Sequence, residues 1–80
     1  MKREEFLNDL PLQVMCECCR RALPVGEWGM GRYGASDWMA IAVVKCERCS
    51  WMKIAAAGSS EDAHKEAQYT RRKLVLMMGL

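Results

Sequence analysis

The sequence predicts a small α+β fold in which antiparallel hairpins are followed by one C-terminal helix packed on the sheet. Three observations predict it. The motif Cys-Glu-x-Cys occurs twice, at residues 16–19 and 46–49. An apolar run of strand length, residues 38–45, leads into the second copy. Residues 59–78 then carry apolar side chains at three- and four-residue intervals, which is the period of a helix.

Length and charge limit what the chain can be. Its 80 residues make one domain. A hydrophobic core of this size supplies only about 3–5 kcal/mol of net stability, so an additional staple is expected. The net charge of +2 permits nucleic-acid binding without indicating it. No apolar run reaches the length of about 18 residues that a membrane span needs, so a membrane role is not expected.

The paired cysteines predict a metal site. A Cys-x-x-Cys turn directs two sulfurs at one point, and two such turns supply the four soft, tetrahedral ligands that zinc prefers. We therefore predict one structural Zn²⁺ ion held by Cys16, Cys19, Cys46 and Cys49. Zinc binding to cysteines that converge only on folding contributes about 10–16 kcal/mol of apparent free energy, so the ion is the expected staple.

Other roles for the cysteines fit less well. No secretory signal is found at the start, the cysteines number five, and no βαβ pattern accompanies the motifs. These features disfavour a disulfide framework and a thioredoxin-like redox pair. Four thiolates also bind iron, alone or in a cluster, and the sequence leaves zinc and iron open. Because free thiolates need a reducing compartment, a cytoplasmic protein is expected.

Cys18 is the spare thiol. It occupies the place in the first motif that Arg48 occupies in the second, which indicates a turn side chain and not a ligand. The functional alternative is a redox switch in which Cys18 reacts when the metal leaves or bonds with Cys19. The structural interpretation is favoured, because a reduced cytoplasm tolerates neighbouring thiols.

The chain divides into three parts. Residues 1–11 carry apolar side chains among charges and predict a short helix that stops before Pro11. Residues 12–58 are assigned to the metal-binding unit, in which strands enter and leave each motif. Within this unit, residues 26–37 hold four glycines and are expected to form a loop or a bent hairpin tip.

The third part, residues 59–78, is the predicted helix. Ser59 with Asp62 three residues on resembles a capping box, and acidic side chains lie at the positive helix end. A competing assignment makes residues 49–57 a helix closed by Gly58, because alanine, methionine and lysine favour helices. That fold would resemble a treble clef. The apolar stripe expected to pack on the sheet is Ala63, Ala67, Thr70, Leu74, Met77 and Met78.

The two motifs and the acidic-capped helix after them resemble the zinc-ribbon superfamily, in which two knuckles at hairpin tips clamp one zinc ion. Residues 46–63 are also similar to small bacterial and bacteriophage ribbons. The chain departs from the family at three points. Arg20 and Ser50 stand where a glycine is usual, and the 26 residues between the knuckles exceed the common 15–20. The histidine that some relatives use as a ligand has no counterpart, because His64 lies in the first helical turn.

No catalytic constellation is found, and an enzyme is not expected. A four-cysteine zinc site has no open position for water, and His64 is the only histidine. Binding remains as the expected role. Interleaved basic and aromatic residues are typical of surfaces that contact single-stranded nucleic acid. The predicted members of this surface are Arg20, Arg21, Trp28, Arg32, Tyr33 and Lys45.

A second surface is predicted on the helix, where Tyr69 and Leu76 lie off the core stripe and indicate a protein partner or a homodimer. The basic residues 71–73 are expected to complement the negative helix end. Two hypotheses follow. The chain is a nucleic-acid-associated regulator of bacterial or bacteriophage type, or a protein-interaction adaptor that docks through the helix or through the Gly/Trp loop, which is the glycine-rich segment 26–37 with Trp28. The mixture of arginine and aromatic residues favours the first.

Overall fold

The computed structural model describes residues 2–79. Its elements in chain order are α1 (Arg3–Asp9), β1 (Gln13–Met15), β2 (Ala22–Pro24), β3 (Gly29–Tyr33), β4 (Asp37–Lys45), β5 (Met52–Gly58) and α2 (Glu61–Met78). β1 and β2 pair as one antiparallel hairpin, and β3, β4 and β5 form a second antiparallel sheet with β4 at its centre. The predicted α+β class, with a C-terminal helix on the sheet, is confirmed.

The treble-clef alternative, with a helix over residues 49–57, is wrong. This stretch contains most of β5, which pairs with β4 from Met52 opposite Lys45 to Gly58 opposite Met39. Pairing satisfies the backbone of the segment and buries Ile54, which is 1% exposed. Tertiary context therefore overrides the helix propensity of its alanines.

The glycine-rich segment 26–37, expected to be a loop or a bent hairpin tip, contains a strand and the tip of the hairpin that this strand forms with β4. Residues 29–33 pair with β4 as the edge strand β3, and residues 34–36 form the turn between the two strands. Gly34 has a φ of +65°, a conformation that glycine adopts without steric cost. The sequence hides this strand because its glycines replace the side chains that would show a period of two.

Helix α2 is capped by Ser60 and not by Ser59. The Ser60 Oγ accepts the N–H of Ala63 at 3.1 Å. Ser59 instead links the segment after β5 to the start of β4 through side-chain hydrogen bonds. Its Oγ accepts the N–H of Trp38 at 2.8 Å and donates to Asp37 Oδ1 at 3.1 Å.

Helix α2 runs antiparallel to β5, and two of its side chains bond to carbonyls on the outer edge of that strand. Arg71 Nε donates to the carbonyl of Ile54 at 2.6 Å, and Gln68 Nε2 donates to the carbonyl of Ala56 at 3.2 Å. These carbonyls are two residues apart, which is the spacing of the outward-facing groups of an edge strand. The helix thus satisfies backbone groups that an open edge would leave unpaired.

The last turn of α2 extends past the sheet. Val75 already lies beside Trp51, where the chain enters β5. Met77 and Met78, which were expected on the core stripe, are therefore exposed, Met77 by 81%. Ala63 and Ala67 at the other end are fully buried, as the stripe predicts.

The core is small and has two centres. The buried residues of the first are Cys16, Leu23, Val44 and Cys46. The buried residues of the second, where α1 packs, are Phe6, Leu10 and Ala40. Among the described residues, the largest fully buried side chains are Ile54, Cys16 and Cys46. Two of these three are cysteines, so the packing of the first centre depends on what their sulfurs bind. Within residues 2–79, no helix combines the length and apolar character needed to cross a bilayer.

Candidate metal centre

The two cysteine motifs form knuckles at hairpin tips. The first knuckle, residues 16–21, joins β1 to β2, and the second knuckle, residues 46–51, joins β4 to β5. In each, the first cysteine donates its N–H to the carbonyl five residues on, at 2.9 Å for Cys16 and 2.7 Å for Cys46. The knuckles are therefore local structural copies, and the fold brings them face to face.

The four paired sulfurs converge on one point. The Sγ atoms of Cys16, Cys19, Cys46 and Cys49 all lie within 4.8 Å of one another. Cys16 Sγ is 3.2 Å from Cys49 Sγ, and Cys19 Sγ is 3.7 Å from Cys46 Sγ. A tetrahedron of thiolates around zinc, with bonds of about 2.3 Å, has edges of about 3.8 Å. The predicted donor set is confirmed as a single site suited to one structural zinc ion.

Each knuckle contributes one deeply buried sulfur and one nearer the surface. Cys16 and Cys46 are 0% and 1% exposed, whereas Cys19 and Cys49 are half-buried. Four thiolates complete the coordination of a tetrahedral ion, so the donor set is that of a closed, structural site.

The protein prepares two of the sulfurs to be thiolates. The backbone N–H of Cys49 is the main cause that lowers the pKa of Cys46 to about 6. At Cys16, burial is the largest single effect and raises the pKa, but the N–H of Cys19 and the thiol of Cys49 together lower it overall. The bond to Cys16 in turn raises the pKa of Cys49. Within each close sulfur pair the pKa of one thiol is lowered and that of the other is raised, and a divalent cation at the site would stabilise all four thiolates.

The residue after each knuckle's second cysteine has a left-handed backbone. The φ angles are +61° at Arg20 and +56° at Ser50, and the N–H of Arg20 donates to the carbonyl of Cys16 at 2.9 Å. This explains why glycine is usual there in zinc ribbons. A side chain in this region costs about 1–2 kcal/mol, so the departure from glycine affects stability and not the shape of the turn.

Cys18 lies outside the cluster of four sulfurs and is exposed in the first knuckle's turn. Arg48, its counterpart in the second knuckle, is also exposed. The placement agrees with a turn side chain.

The structure does not bring the predicted nucleic-acid residues into one surface. Arg20 and Arg21 end the first knuckle and Lys45 precedes the second, and all three are exposed. Arg32 pairs with Trp38 at the opposite end of β4, seven residues from Lys45 and about 23 Å away along the strand. The length of β4 separates the two groups, a consequence of the pairing of β3 with β4 that the sequence did not reveal.

The aromatic residues of the predicted surface lie with the distant group. Trp28 is half-buried against the cluster that contains Phe6, so it packs as a core residue. Tyr33 is half-buried at the end of β3. The Arg32 guanidinium lies 5.3 Å from the centroid of the Trp38 ring, which is a cation–π contact within the hairpin.

The predicted helix surface is placed on the outer side of α2. Tyr69 is 53% exposed and Leu76 is 81% exposed. Lys73 Nζ lies 4.5 Å from the centroid of the Tyr69 ring, so the two side chains form a cation–π contact that covers part of the aromatic face.

The sequence did not single out Lys53, and it gave Arg71 only the role of complementing the helix end. Both reach the same groove beside the first knuckle, Lys53 from β5 and Arg71 from α2. The signal that would have identified them is the antiparallel path of α2 along β5, which brings residues 71–73 back towards the sulfurs.

The chain matches no protein-family model, no curated protein and no solved structure. The likeness to zinc ribbons therefore depends on the knuckles, their four sulfurs and the hairpin arrangement. These features support a zinc-binding module in which the metal has a structural role.

Proposed function

We propose that this chain is a non-enzymatic, zinc-stabilised module that binds nucleic acid, as a small regulator, through the end of the molecule that carries the sulfurs. The support is an uneven distribution of charge. We call residues 14–25, 43–54 and 71–78 the metal end, and the rest of the described chain the distal end. Residues 71–78 belong to the metal end because Arg71 bonds Ile54, two residues after β5 leaves the second knuckle.

The metal end is strongly basic. Its eight basic side chains, all exposed or half-buried, are Arg20, Arg21, Lys45, Arg48, Lys53, Arg71, Arg72 and Lys73. Its two acidic side chains are Glu17 and Glu47. The distal end has the opposite balance, with four basic and eight acidic side chains. A chain of net charge +2 is thus polarised into a metal end of +6 and a distal end of −4.

The zinc site reduces this charge without removing it. One divalent ion with four thiolates contributes −2, so the metal end retains about +4 when loaded. None of its eight cations forms an ion pair in residues 2–79, where the ion pair found is Lys65 with Glu61 in the distal end. Unneutralised cations attract a polyanion at a distance and release its counterions on contact.

The ion has an architectural part in this function. The basic residues come from three segments that are far apart in sequence, and the meeting of the four sulfurs brings the two knuckles to the same end of the molecule. A closed shell of four thiolates holds the hairpins together and offers no position for a reacting water, which supports a binding role over catalysis.

A protein-interaction adaptor is the second candidate, and the exposed last turn of α2 favours it. Leu76 and Met77 are each 81% exposed, and Tyr69 lies on the outer side of the same helix. Such a surface would dock a protein or a second copy of the chain by apolar burial, which responds little to salt.

A salt titration tests the proposal. Fluorescence anisotropy would follow labelled single-stranded DNA, RNA and duplex probes bound to the zinc-loaded protein. With about four phosphate contacts, affinity for a single strand should fall about 20-fold between about 50 and about 150 mM salt. Arg21→Gln at the metal end should weaken binding more than Arg3→Gln at the distal end. The absence of binding at low salt, or binding that salt leaves unchanged, would contradict the proposal, and concentration-dependent dimerisation in sedimentation would then favour the adaptor.

A further inference from the structure

An open groove runs along the outer edge of β5. Its floor is formed by residues 52–56, which span about 13 Å. One wall is formed by β1 and the first knuckle, through Val14 and Arg20, and the other by α2, through Arg71. Lys53 lies at the centre and lines all three adjoining sections of the groove.

Three cations from three different elements line this groove. Arg20 comes from the first knuckle, Lys53 from β5 and Arg71 from α2. In the part of the chain that the structure describes, none of them is ion-paired with a carboxylate. Arg71 is half-buried, and its Nε bond to the carbonyl of Ile54 at 2.6 Å fixes the guanidinium in place. The terminal guanidinium nitrogens of Arg71 remain as donors for an anion.

Apolar side chains lie between these cations. Val14 and Met15 line the groove beside Arg20, and Trp51 and Val75 line it beside Arg71. Met15 is 59% exposed, and Trp51 is half-buried. Cations alternating with an aromatic ring and exposed apolar groups suit a ligand that carries both phosphates and unstacked bases.

We propose that the groove lined by Arg20, Lys53 and Arg71 is the binding site for the phosphate backbone of a single-stranded nucleic acid. This inference rests on the proposed function and assigns nucleic-acid binding to one groove of the metal end. A single strand is favoured over a duplex because the apolar groups of the groove, the exposed Met15 and the part of Trp51 that is not packed against the first core centre, can contact only bases that are free of their neighbours. Glu17 also lines the groove, and its negative carboxylate repels the phosphates and so weakens binding.

The two knuckles provide a matched control for the role of Glu17. Glu17 and Glu47 occupy the same place in the two Cys-Glu-x-Cys motifs, and both are exposed. Changing either to glutamine raises the net charge by one. Glu17 lines the groove, whereas Glu47 lies on the second knuckle outside it. A similar pair is Lys53, in the groove, and Lys45, which ends β4.

The experiment uses the zinc-loaded full chain and an oligothymidylate of about 12 nucleotides, followed by fluorescence anisotropy at low salt. Glu17→Gln should tighten binding about three- to fivefold, and Glu47→Gln should change it less than about twofold. Lys53→Gln should weaken binding about five- to tenfold and reduce the salt slope by about 0.7, with a smaller effect for Lys45→Gln. Zinc content and circular dichroism check that each variant is folded, and an unfolded Glu17 variant could not bind more tightly.

The outcomes separate the site from the function. If the wild type binds but the groove variants behave like their controls, the nucleic acid contacts another part of the metal end; the groove is then overturned and the proposed function stands. Tighter binding of a duplex of the same length would overturn the single-stranded assignment. If the wild type binds no probe at low salt, both proposals fail.

Discussion

The backbone of α2 lies very close to Gly58, at the end of β5, and Gly58→Ala is the perturbation that tests this packing. A Cβ at this position would lie 2.1 Å from the backbone nitrogen of His64 and 2.3 Å from the carbonyl carbon of Ala63. Ordinary contacts of a Cβ atom begin at 3.4 Å, so the first turn of α2 would have to move by more than about 1 Å. Because these neighbours are backbone atoms, no side-chain rotation can relieve the overlap.

The cost follows from what the displaced turn holds. Ala63 and Ala67 are fully buried against the sheet, and Ser60 caps the helix through the N–H of Ala63. Forcing extra volume into such a packed site costs about 1–3 kcal/mol, occasionally more. In a domain of this size each kcal/mol lowers the melting temperature by about 4–8 °C. We expect Gly58→Ala to lower the Tm of the zinc-loaded protein by about 4–24 °C.

Thermal unfolding followed by circular dichroism measures the effect, with Gly26→Ala as the control. A Cβ at Gly26 would meet no atom within 4 Å, and its backbone is outside the left-handed region, so its Tm should change by less than about 3 °C. Equal melting temperatures for the two variants would refute the close crossing of β5 and α2.

Three further predictions concern single contacts. Ser50→Gly should stabilise the protein by about 0.5–1 kcal/mol, because the φ of +56° favours glycine; an unchanged or lower Tm would argue against strain in the second knuckle. Ser59→Ala should lower the free energy of unfolding in urea by about 1–3 kcal/mol, because the hydrogen bond from the Trp38 N–H to Ser59 Oγ is lost. The backbone amide of Trp38 should also exchange its hydrogen faster, and an unaltered exchange rate would show that this hydrogen bond does not contribute. Cys46→Ser should abolish stoichiometric zinc binding and the cooperative melt, whereas Cys18→Ser should preserve both; a folded, zinc-loaded Cys46→Ser protein would be inconsistent with the site.

The metal site could be predicted from the sequence because its geometry is local. A Cys-x-x-Cys turn fixes two sulfurs through bonds within one knuckle, such as the N–H of Cys46 to the carbonyl of Trp51. Because the same motif occurs twice, the four cysteines can complete one tetrahedral metal site when the two copies meet. The strand that enters the second knuckle and the helix were similarly visible through their apolar patterns, although the cap proved to be Ser60.

The surfaces could not be predicted, because they depend on register and on the paths of separate elements. Arg32 and Lys45 look like parts of one basic and aromatic segment, yet pairing of β3 with β4 places them at opposite ends of the sheet. Arg71 looks like a complement to the helix end, yet it bonds the carbonyl of Ile54. That contact exists only because α2 returns along the edge of β5, and no local pattern encodes it.

The central claim is that one zinc ion, bound by sulfurs from two hairpin tips, holds this small core together. Native mass spectrometry combined with thermal unfolding before and after exhaustive chelation tests it most directly. The account predicts one zinc ion per chain, and loss of the cooperative transition once the ion is removed. A metal-free chain that keeps a cooperative transition, or a purified protein that carries iron in place of zinc, would contradict it.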